Sequence, residues 1–234
     1  PIFGDMADFE EMVKVGQQHG IDFMLDMVLN HCSIEHEWFQ KALAGDSYYQ
    51  DFFILRDEPT DWLSKFGGSA WAPFGDTGKY YLHLYDVTQA DLNWRNPNVR
   101  QELFKVVNFW RDKGVKGFRF DVINVIGKDE VLTDCPDQEG KPAYTDKPIV
   151  HDYLRMMNEA TFGQDDSVMT VGEMSATTIE NCILYTAPDR QELSMAFNFH
   201  HLKVDYEDGQ KWTLKAFDFE ELKRLFHTWG KEMS

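Results

Sequence analysis

Two patterns of hydrophobic residues alternate along the chain, one typical of amphipathic helices and the other of strands buried on both faces. Apolar positions spaced three or four residues apart predict helices at 5–19, 96–114, 151–162, 177–186 and 218–231. Short, almost wholly apolar runs between the helices predict strands at 21–31, 114–122, 168–174 and 193–199. Helices that alternate with such strands indicate a parallel sheet with right-handed helical crossovers.

Residues 32–95 follow neither pattern and are rich in Gly, Asp, Tyr and Trp. A loop of this length is usually functional or a small subdomain. We therefore predict an α/β fold in which 1–31 and 96–234 form one domain and 32–95 form a subdomain inserted into it. The sequence has no glycine-rich motif for a dinucleotide or a nucleotide phosphate. An eight-stranded barrel fits this order better than an open sheet, with about four of its strands in this chain.

The composition narrows the range of partners. Acidic residues outnumber basic ones by 40 to 23, and the resulting net charge of −17 disfavours nucleic acids and anionic membranes. No apolar run approaches the roughly 20 residues that span a bilayer. The three cysteines lack metal-ligand spacing, which favours free thiols in a reducing cytoplasm. A substrate with a phosphate group would need local cations to overcome the negative field.

Polar side chains stand at or near the ends of three predicted strands. The first strand ends in His31, the second carries Arg119 and Asp121, and the third reaches Glu173. Because the carboxyl ends of parallel barrel strands converge on one face, we expect these residues to share a site. Asp26 also lies in the first strand, where we expect it to brace the barrel rather than to contact a substrate.

The second of these strands separates apolar from charged side chains. Alternate strand residues share a face, so Arg119 and Asp121 should point away from Phe118 and Phe120. Two carboxylates over a common pocket, Asp121 and Glu173, are the equipment for glycoside hydrolysis. We expect Arg119 to keep Asp121 ionised as the nucleophile. The apolar strand before Glu173 should raise the pKa of that carboxyl, which suits a general acid and base.

Several motifs in this order resemble those of the alpha-amylase superfamily of retaining glycoside hydrolases. The resemblance is carried by "DMVLNH" (26–31), "QADLNW" (89–94), "GFRFD" (117–121) and "VGEM" (171–174), and it extends over essentially the whole chain. It implies a (β/α)8 TIM barrel with a small subdomain inserted after the third strand. By this resemblance the chain supplies barrel strands three to six and is a central part of a longer protein.

The resemblance also implies roles for individual residues. Asp121 would form the glycosyl-enzyme intermediate, and Glu173 would act first as general acid and then as general base. Arg119 would orient Asp121, and His31 would hydrogen-bond the sugar in the first subsite. The family's third essential aspartate follows the seventh strand, outside this chain, so we expect residues 1–234 alone to be inactive. The resemblance assigns no cofactor and no metal ligand to these residues.

Three further stretches resemble the trehalose-6-phosphate hydrolases of the oligo-1,6-glucosidase group. They are "MTVGEMS" (169–175), "NFHHLKVDY" (198–206) and "GQKWTL" (209–214). Enzymes of this group split the α,α-1,1 bond of trehalose 6-phosphate, which yields glucose and glucose 6-phosphate. The resemblance therefore implies a cytoplasmic, monomeric glycoside hydrolase whose partner is a small disaccharide phosphate.

Local cations for the phosphate are expected after the last predicted strand, where "HHLK" faces the active-site end of the barrel. Lys203, His200 and His201 are the candidates, because an acidic protein needs nearby positive charge to hold a phosphate dianion. Either histidine taken singly also fits an ordinary structural position in a loop or helix. The tryptophans of the inserted region suit sugar stacking, although we expect them mostly to form its own core.

Three other interpretations stay open at this point. The first is an oligo-1,6-glucosidase or dextran glucosidase that acts on neutral sugars. The second is a non-catalytic barrel, like the heavy subunits of amino-acid transporters, and the presence of both Asp121 and Glu173 argues against it. In the third, Arg119 and Asp121 form only a buried structural ion pair, as barrel cores sometimes contain.

Overall fold

The computed structural model describes residues 4–136, 138–207, 213 and 215–233, so the "GQKWTL" stretch lies outside it except for Thr213. The helices of these residues are α1 (Met6–Gln18), α2 (Glu37–Leu43), α3 (Ser47–Gln50), α4 (Pro97–Asp112), α5 (Pro148–Ala160), α6 (Ile179–Thr186) and α7 (Phe219–Glu232). The strands are β1 (Met24–Met27), β2 (His31–Ser33), β3 (Leu55–Arg56), β4 (Trp71–Pro73), β5 (Tyr80–Leu82), β6 (Gln89–Asp91), β7 (Gly117–Phe120), β8 (Met169–Glu173) and β9 (Met195–Phe197).

A parallel sheet with the strand order β1-β7-β8-β9 organises the described residues. In its register Asp26 lies opposite Arg119. Two strands further on, Glu173 lies opposite Phe197. Helices α4, α5 and α6 connect the successive strands. Parallel strands that follow one another in both sequence and space, with a helix between each pair, form a segment of a (β/α)8 barrel, so the predicted α/β fold is confirmed.

The start of each long helix follows its first-turn chemistry. Helix α4 begins where the sequence predicts it: the Asn96 side chain accepts a hydrogen bond from the Asn98 amide at 2.9 Å, and Pro97 occupies the first turn. Helix α5 begins at Pro148, three residues before the predicted start at 151. A first-turn proline suits this position because the amide it lacks would have no partner within the helix.

The first strand of the sheet is shorter than the apolar run predicted at 21–31. Strand β1 ends at Met27, and His31 begins β2, which pairs antiparallel with β6 and sets His31 opposite Asp91. A continuous apolar run does not reveal that its two ends belong to different sheets. His31 therefore lies in the β2-β6 sheet and not in the parallel sheet.

The inserted region is built on short antiparallel sheets, β2-β6 and β3-β5-β4. Its tryptophans Trp62, Trp71 and Trp94 are each no more than 5% exposed. The Trp94 indole N–H donates to the Leu29 carbonyl oxygen at 2.9 Å, and that of Trp62 donates to the Thr133 carbonyl oxygen at 2.9 Å. As expected, these tryptophans form the core of the region and its joints to the rest of the chain.

One hydrophobic cluster runs from the parallel sheet into the inserted region. Phe118 and Phe120 of β7 belong to the same buried cluster as Phe39 and Phe74, which lie in the insertion. Aromatic rings of this size contribute much of the apolar area that stabilises a core. The core is thus continuous across the positions 31/32 and 95/96. The division of the chain at these positions therefore stays a prediction.

We predict that Phe118→Ala destabilises the protein strongly. The Phe118 side chain is 0% exposed in β7, and its removal leaves a cavity that lowers the free energy of unfolding by about 3–5 kcal/mol. Phe66→Ala, at a site 70% exposed, should change it by less than about 0.5 kcal/mol. Urea unfolding of the whole protein measures both changes, and similar losses for the two variants would contradict the described packing.

Candidate active site

The carboxyl ends of β1, β7 and β8 bring three acidic side chains together around one arginine. Arg119 Nη1 donates to Asp121 Oδ1 at 2.6 Å and to Asp26 Oδ1 at 2.6 Å. Its second terminal nitrogen, Nη2, contacts Glu173 Oε2. Asp121 and Glu173, the two carboxylates singled out from the sequence, therefore lie beside the same guanidinium.

The alternation of β7 places the charged groups on the open side of the sheet. Phe118 and Phe120 are fully buried, whereas the side chains of Arg119 and Asp121 keep 25% and 24% of their surface exposed. The guanidinium of Arg119 also lies over the Phe197 ring of β9, 5.8 Å from its centroid. The two faces separate as the strand period predicts, and neighbouring strands supply the contacts that orient the arginine.

Arg119 serves more partners than the sequence indicates. Burial opposes its ionisation, but hydrogen bonds to Asp26 and Asp121 outweigh burial and raise the pKa of the guanidinium. The sequence assigns Arg119 to Asp121 alone and gives Glu173 an apolar setting. In the structure Arg119 also contacts Glu173, because β8 lies directly beside β7. Asp26 anchors the arginine from β1, in keeping with the bracing role expected for it.

The backbone immediately after Asp121 adopts a strained conformation. Val122 has a φ of 39°, in the left-handed region that β-branched residues rarely enter. Such a conformation costs about 1–3 kcal/mol and persists only where the surrounding contacts impose it. Val122 is buried in a cluster with Trp62 and Tyr144, and the Asp121 amide donates to the Met27 carbonyl oxygen at 3.1 Å. These contacts hold the Asp121 carboxylate at the end of the sheet.

A buried asparagine links the segment after Asp121 to the segment after Glu173. Asn124 Nδ2 donates to the Ser175 carbonyl oxygen at 2.8 Å, and Asn124 Oδ1 accepts from the Ser175 amide at 2.8 Å. The same Nδ2 donates to Asp146 Oδ1 at 2.9 Å. The two hydrogen bonds between Asn124 and the Ser175 backbone fix the distance and the relative orientation of the two segments. Asn124 therefore sets the relative positions of the Asp121 and Glu173 carboxylates.

His31 reaches the site from the inserted region. Its ring centroid lies 5.4 Å from that of Tyr85, and Asn30 Nδ2 lies 3.3 Å from its Nδ1. Burial lowers the pKa of His31, although Asp91 and Asp121 act to raise it, so the imidazole is neutral at pH 7. Since the Asn30 amide is a donor, Nδ1 is the acceptor, and the proton resides on Nε2, which can donate to a ligand.

A buried ion pair joins the inserted region to the loop after β7. Lys128 Nζ lies 2.8 Å from Asp91 Oδ2 and donates to Asn30 Oδ1 at 2.6 Å, and both charged side chains are at most 4% exposed. Asp91 also accepts hydrogen bonds from Asn30 Nδ2 at 3.2 Å and from the Leu84 amide at 3.0 Å. Burial lowers the pKa of Lys128, and its contact with Asp91 opposes that shift. The network satisfies both buried charges.

The three candidate phosphate ligands lie in a 3-10 helix, His200–Lys203, that follows β9. The ring of His200 packs on Trp229 at 5.3 Å and that of His201 on Phe226 at 5.9 Å, both in α7. Burial lowers the pKa of His200, and Lys203 and His201 add to the shift. Within the described part of the chain, these residues form no hydrogen bond or ion pair with the carboxylates around Arg119.

Some residues of this site carry no signal in the sequence pattern. Lys128 stands in a polar loop, Asn124 in an apolar run, and Tyr85 among other aromatic residues. Asp91 has a signal only because "QADLNW" matches a family motif. Each of them gains its role from partners far away in the chain, which residue spacing does not reveal. In the ranges that the structure describes, no three His, Cys, Asp or Glu side chains converge as a metal site requires.

Known proteins are similar to this chain in sequence and in structure. The sequence profile described as "Alpha amylase, catalytic domain" matches residues 1–234. The trehalose-6-phosphate hydrolase of Bacillus subtilis (strain 168) is 50% identical over 240 residues, which cover 100% of this chain. The oligo-1,6-glucosidase of Parageobacillus thermoglucosidasius is 42% identical over 243 residues, with 99% of this chain covered.

A solved structure gives the same result in three dimensions. The crystal structure of Bacillus licheniformis trehalose-6-phosphate hydrolase aligns with a TM-score of 0.94 and 51% identity over 98% of this chain. The chain spans 42% of that structure and 43% of the length of the two curated relatives. The similarity therefore covers the whole of this chain but less than half of each relative.

We predict that Lys128→Met destabilises the protein more than the loss of an exposed lysine would. The substitution leaves the Asp91 carboxylate buried without its cation, which should lower the free energy of unfolding by about 3–5 kcal/mol. The double variant Lys128→Met/Asp91→Asn should recover part of the loss, because a neutral amide is easier to bury. Urea unfolding of the whole protein measures both. A loss below about 1 kcal/mol in the single variant would show that the pair contributes as little as a surface pair.

Proposed function

Because this chain belongs to the alpha-amylase family, we propose that the whole protein is a retaining glycoside hydrolase that cleaves trehalose 6-phosphate into glucose and glucose 6-phosphate. The observation that carries the proposal is the meeting of Asp121 and Glu173 at one guanidinium, at the ends of neighbouring parallel strands. Two carboxylates so close together fit the separation of about 5–5.5 Å in retaining enzymes better than the wider gap that an inverting enzyme needs for water.

In the proposed reaction each carboxylate has a separate task. An oxygen of Asp121 attacks the anomeric carbon and forms an ester bond to it, while Glu173 donates its proton to the departing glycosidic oxygen. The first sugar then leaves. Glu173, now ionised, takes a proton from a water molecule whose oxygen attacks the same carbon and releases Asp121. Two inversions at one carbon give overall retention of configuration.

Arg119 and His31 support this sequence of steps. Arg119 holds Asp121 by a charge-assisted hydrogen bond, so that the carboxylate is aimed before the sugar arrives. His31, with its proton on Nε2, donates a hydrogen bond to a hydroxyl of the sugar at the reacting centre. The strained backbone at Val122 and the hydrogen bonds between Asn124 and Ser175 keep the Asp121 and Glu173 carboxylates in place during both steps.

Two comparisons support the phosphorylated substrate. This chain is 50% identical to a trehalose-6-phosphate hydrolase and 42% identical to an oligo-1,6-glucosidase, and each alignment covers at least 99% of this chain. The higher identity is to the enzyme named for the phosphorylated sugar. Lys203 follows β9 and is exposed, and its side-chain ammonium has no hydrogen bond or ion pair in the described part of the chain. We assign Lys203 as the main ligand of the substrate phosphate. His200 and His201 pack against α7 and supply further hydrogen-bond donors to the phosphate beside Lys203.

The cellular setting is part of the same proposal. We propose a cytoplasmic, monomeric enzyme with a small-molecule substrate and no nucleic-acid partner, as the net charge of −17 favours. Each helix in the described ranges is too short or too polar to cross a bilayer. Burial raises the pKa of the Cys32 thiol to about 12 and that of Cys182 to about 11, so both stay protonated and unreactive.

A substrate panel tests the proposed function on the whole protein. We expect kcat/KM for trehalose 6-phosphate to exceed that for p-nitrophenyl α-glucoside and for isomaltose by at least tenfold. The Asp121→Asn variant should abolish turnover of all three substrates, because an amide cannot form the glycosyl ester. A preference for isomaltose would instead assign the protein to the neutral 1,6-glucosidases. The absence of all three activities would refute the proposed substrate.

We also predict that residues 1–234 by themselves have no measurable activity. In the described sheet, β1 and β9 each pair along one edge only, and unpaired strand edges promote association between molecules. The isolated chain also lacks the third carboxylate that the family resemblance implies. Assay of the purified 234 residues against the whole protein, at equal concentration and with p-nitrophenyl α-glucoside, measures this. Any measurable hydrolysis by the isolated chain would overturn the prediction.

A further inference from the structure

A carboxylate in the loop before α5 stands apart from the active-site carboxylates and has no task in the proposed reaction. Asp146 Oδ1 accepts hydrogen bonds from Asn124 Nδ2 at 2.9 Å and from the Tyr185 hydroxyl at 3.0 Å. Its other oxygen, Oδ2, accepts from Asn181 Nδ2 at 2.9 Å. Tyr185 and Asn181 belong to α6, whereas Asn124 lies in the loop after β7. Asp146 therefore joins the loop after β7 to the helix after β8.

The three hydrogen-bond donors that surround the Asp146 carboxylate are all neutral. Among the residues that the structure describes it forms no ion pair, and the adjacent Lys147 contacts Asp129 instead. Burial and the Asp146 charge raise the pKa of Tyr185, so the Tyr185 hydroxyl keeps its proton and donates it in a hydrogen bond. A half-buried carboxylate without a cation costs more free energy than a neutral amide would at the same place. Stability alone therefore does not account for Asp146.

A group that only accepts hydrogen bonds fixes the orientation of the Asn124 side chain. Asn124 is fully buried, and each end of its amide forms one hydrogen bond with the Ser175 backbone. Both bonds form only when Nδ2 faces the Ser175 carbonyl and Oδ1 faces the Ser175 amide. A carboxylate cannot donate, so Asp146 binds the NH2 end of the Asn124 amide and repels its oxygen end. The charge thereby selects the one orientation of Asn124 that binds Ser175.

The segment that is held in this way follows Glu173 directly. Its start is bound at Ser175 by Asn124, and its end, at α6, is bound by Asp146. Between these two anchors Ala176 has a φ of 52°, in the left-handed region that alanine rarely enters. Such a conformation persists only where the surrounding contacts impose it. Because both anchors lead to Asp146, this carboxylate holds the backbone next to Glu173 in a defined place.

We propose that Asp146 is a positioning residue for the general acid and base, and that it acts through Asn124 and α6 on the backbone that carries Glu173. This inference rests on the proposed function, which gives Glu173 that role. When the anchor is loosened, Glu173 should donate and accept protons less effectively. Asp121 should attack as before, because its hydrogen bond from Arg119 and its place at the end of β7 do not depend on Asp146.

The substitution Asp146→Asn in the whole protein tests the proposal, because it keeps the shape of the side chain and removes the charge. An amide at this position can turn either end towards Asn124, so the orientation of Asn124 is no longer fixed. The test compares p-nitrophenyl α-glucoside, whose phenolate leaves with little help from an acid, with phenyl α-glucoside, whose phenolate needs the proton more. We expect kcat/KM to fall about tenfold or more for phenyl α-glucoside and much less for p-nitrophenyl α-glucoside.

A second readout separates positioning from a general loss of folded enzyme. With p-nitrophenyl α-glucoside the variant should release the sugar from Asp121 slowly, because Glu173 must then act as a base towards water. The values of kcat and KM should therefore fall together. Azide attacks the same carbon without giving up a proton, so added azide should restore kcat. An equal fall of kcat for both substrates, with KM unchanged and no effect of azide, would indicate partial unfolding and overturn the inference.

Asp152→Asn is the matched control for the removal of one negative charge. The Asp152 side chain lies on α5, is 49% exposed and is paired with Arg155, so its loss should change neither the dependence on the leaving group nor the effect of azide. Hydrogen exchange at the Ser175 amide adds a readout that does not require activity. It should be faster in Asp146→Asn and unchanged in Asp152→Asn. Exchange that is unchanged in Asp146→Asn, or equally faster in Asp152→Asn, would overturn the inference.

The outcomes also distinguish this inference from the proposed function. If the unaltered protein hydrolyses neither glucoside and Asp146→Asn still exchanges faster at Ser175, the proposed reaction fails and the anchor stands. If the protein hydrolyses both glucosides and Asp146→Asn keeps the kinetics of the unaltered protein, the reaction stands and the positioning role is wrong.

Discussion

The interaction on which the site depends is the sharing of one guanidinium by three carboxylates. Arg119 lies between Asp26, Asp121 and Glu173, and these side chains come from three adjacent parallel strands. Three carboxylates at one end of a sheet would repel one another without a cation. The arginine removes that repulsion and aligns the strand ends, so the same contact contributes to the barrel and to the proposed chemistry. The guanidinium stays positively charged at every relevant pH, so it holds the three carboxylates together more reliably than a lysine or a histidine would.

A second buried cation, Lys128, performs the corresponding task between the parallel sheet and the inserted region. Its contacts with Asp91 and Asn30 join β6 and the turn after β1 to the loop after β7. His31, next to Asn30 in the chain and in contact with its side chain, is thereby held in place. The insertion is thus part of the active-site wall, and its continuous core with the sheet makes that wall rigid.

Residues with regular spacing could be predicted well, and residues whose roles depend on distant partners could not. The capping pair at Asn96 and Pro97 located the start of α4, because capping is a local interaction. The run at 21–31 was interpreted as one strand, since local apolarity does not show that Met27 and His31 belong to different sheets. Asp121 and Glu173 were found from their positions at strand ends and from motifs. Lys128 and Tyr85 were not, because their neighbours in space lie dozens of residues away in sequence.

The order of helices and strands, the parallel sheet, the pair of carboxylates and the acidic surface all follow from residue type and spacing, because these properties depend on period and composition. Tertiary packing alone decided that Glu173 shares Arg119 with Asp121, and that Asn124 brackets the two strand ends. Such facts concern distances between chain segments, and electrostatic and hydrogen-bond energies vary with exactly those distances. A linear sequence states which charges are present; only the folded chain states which of them meet.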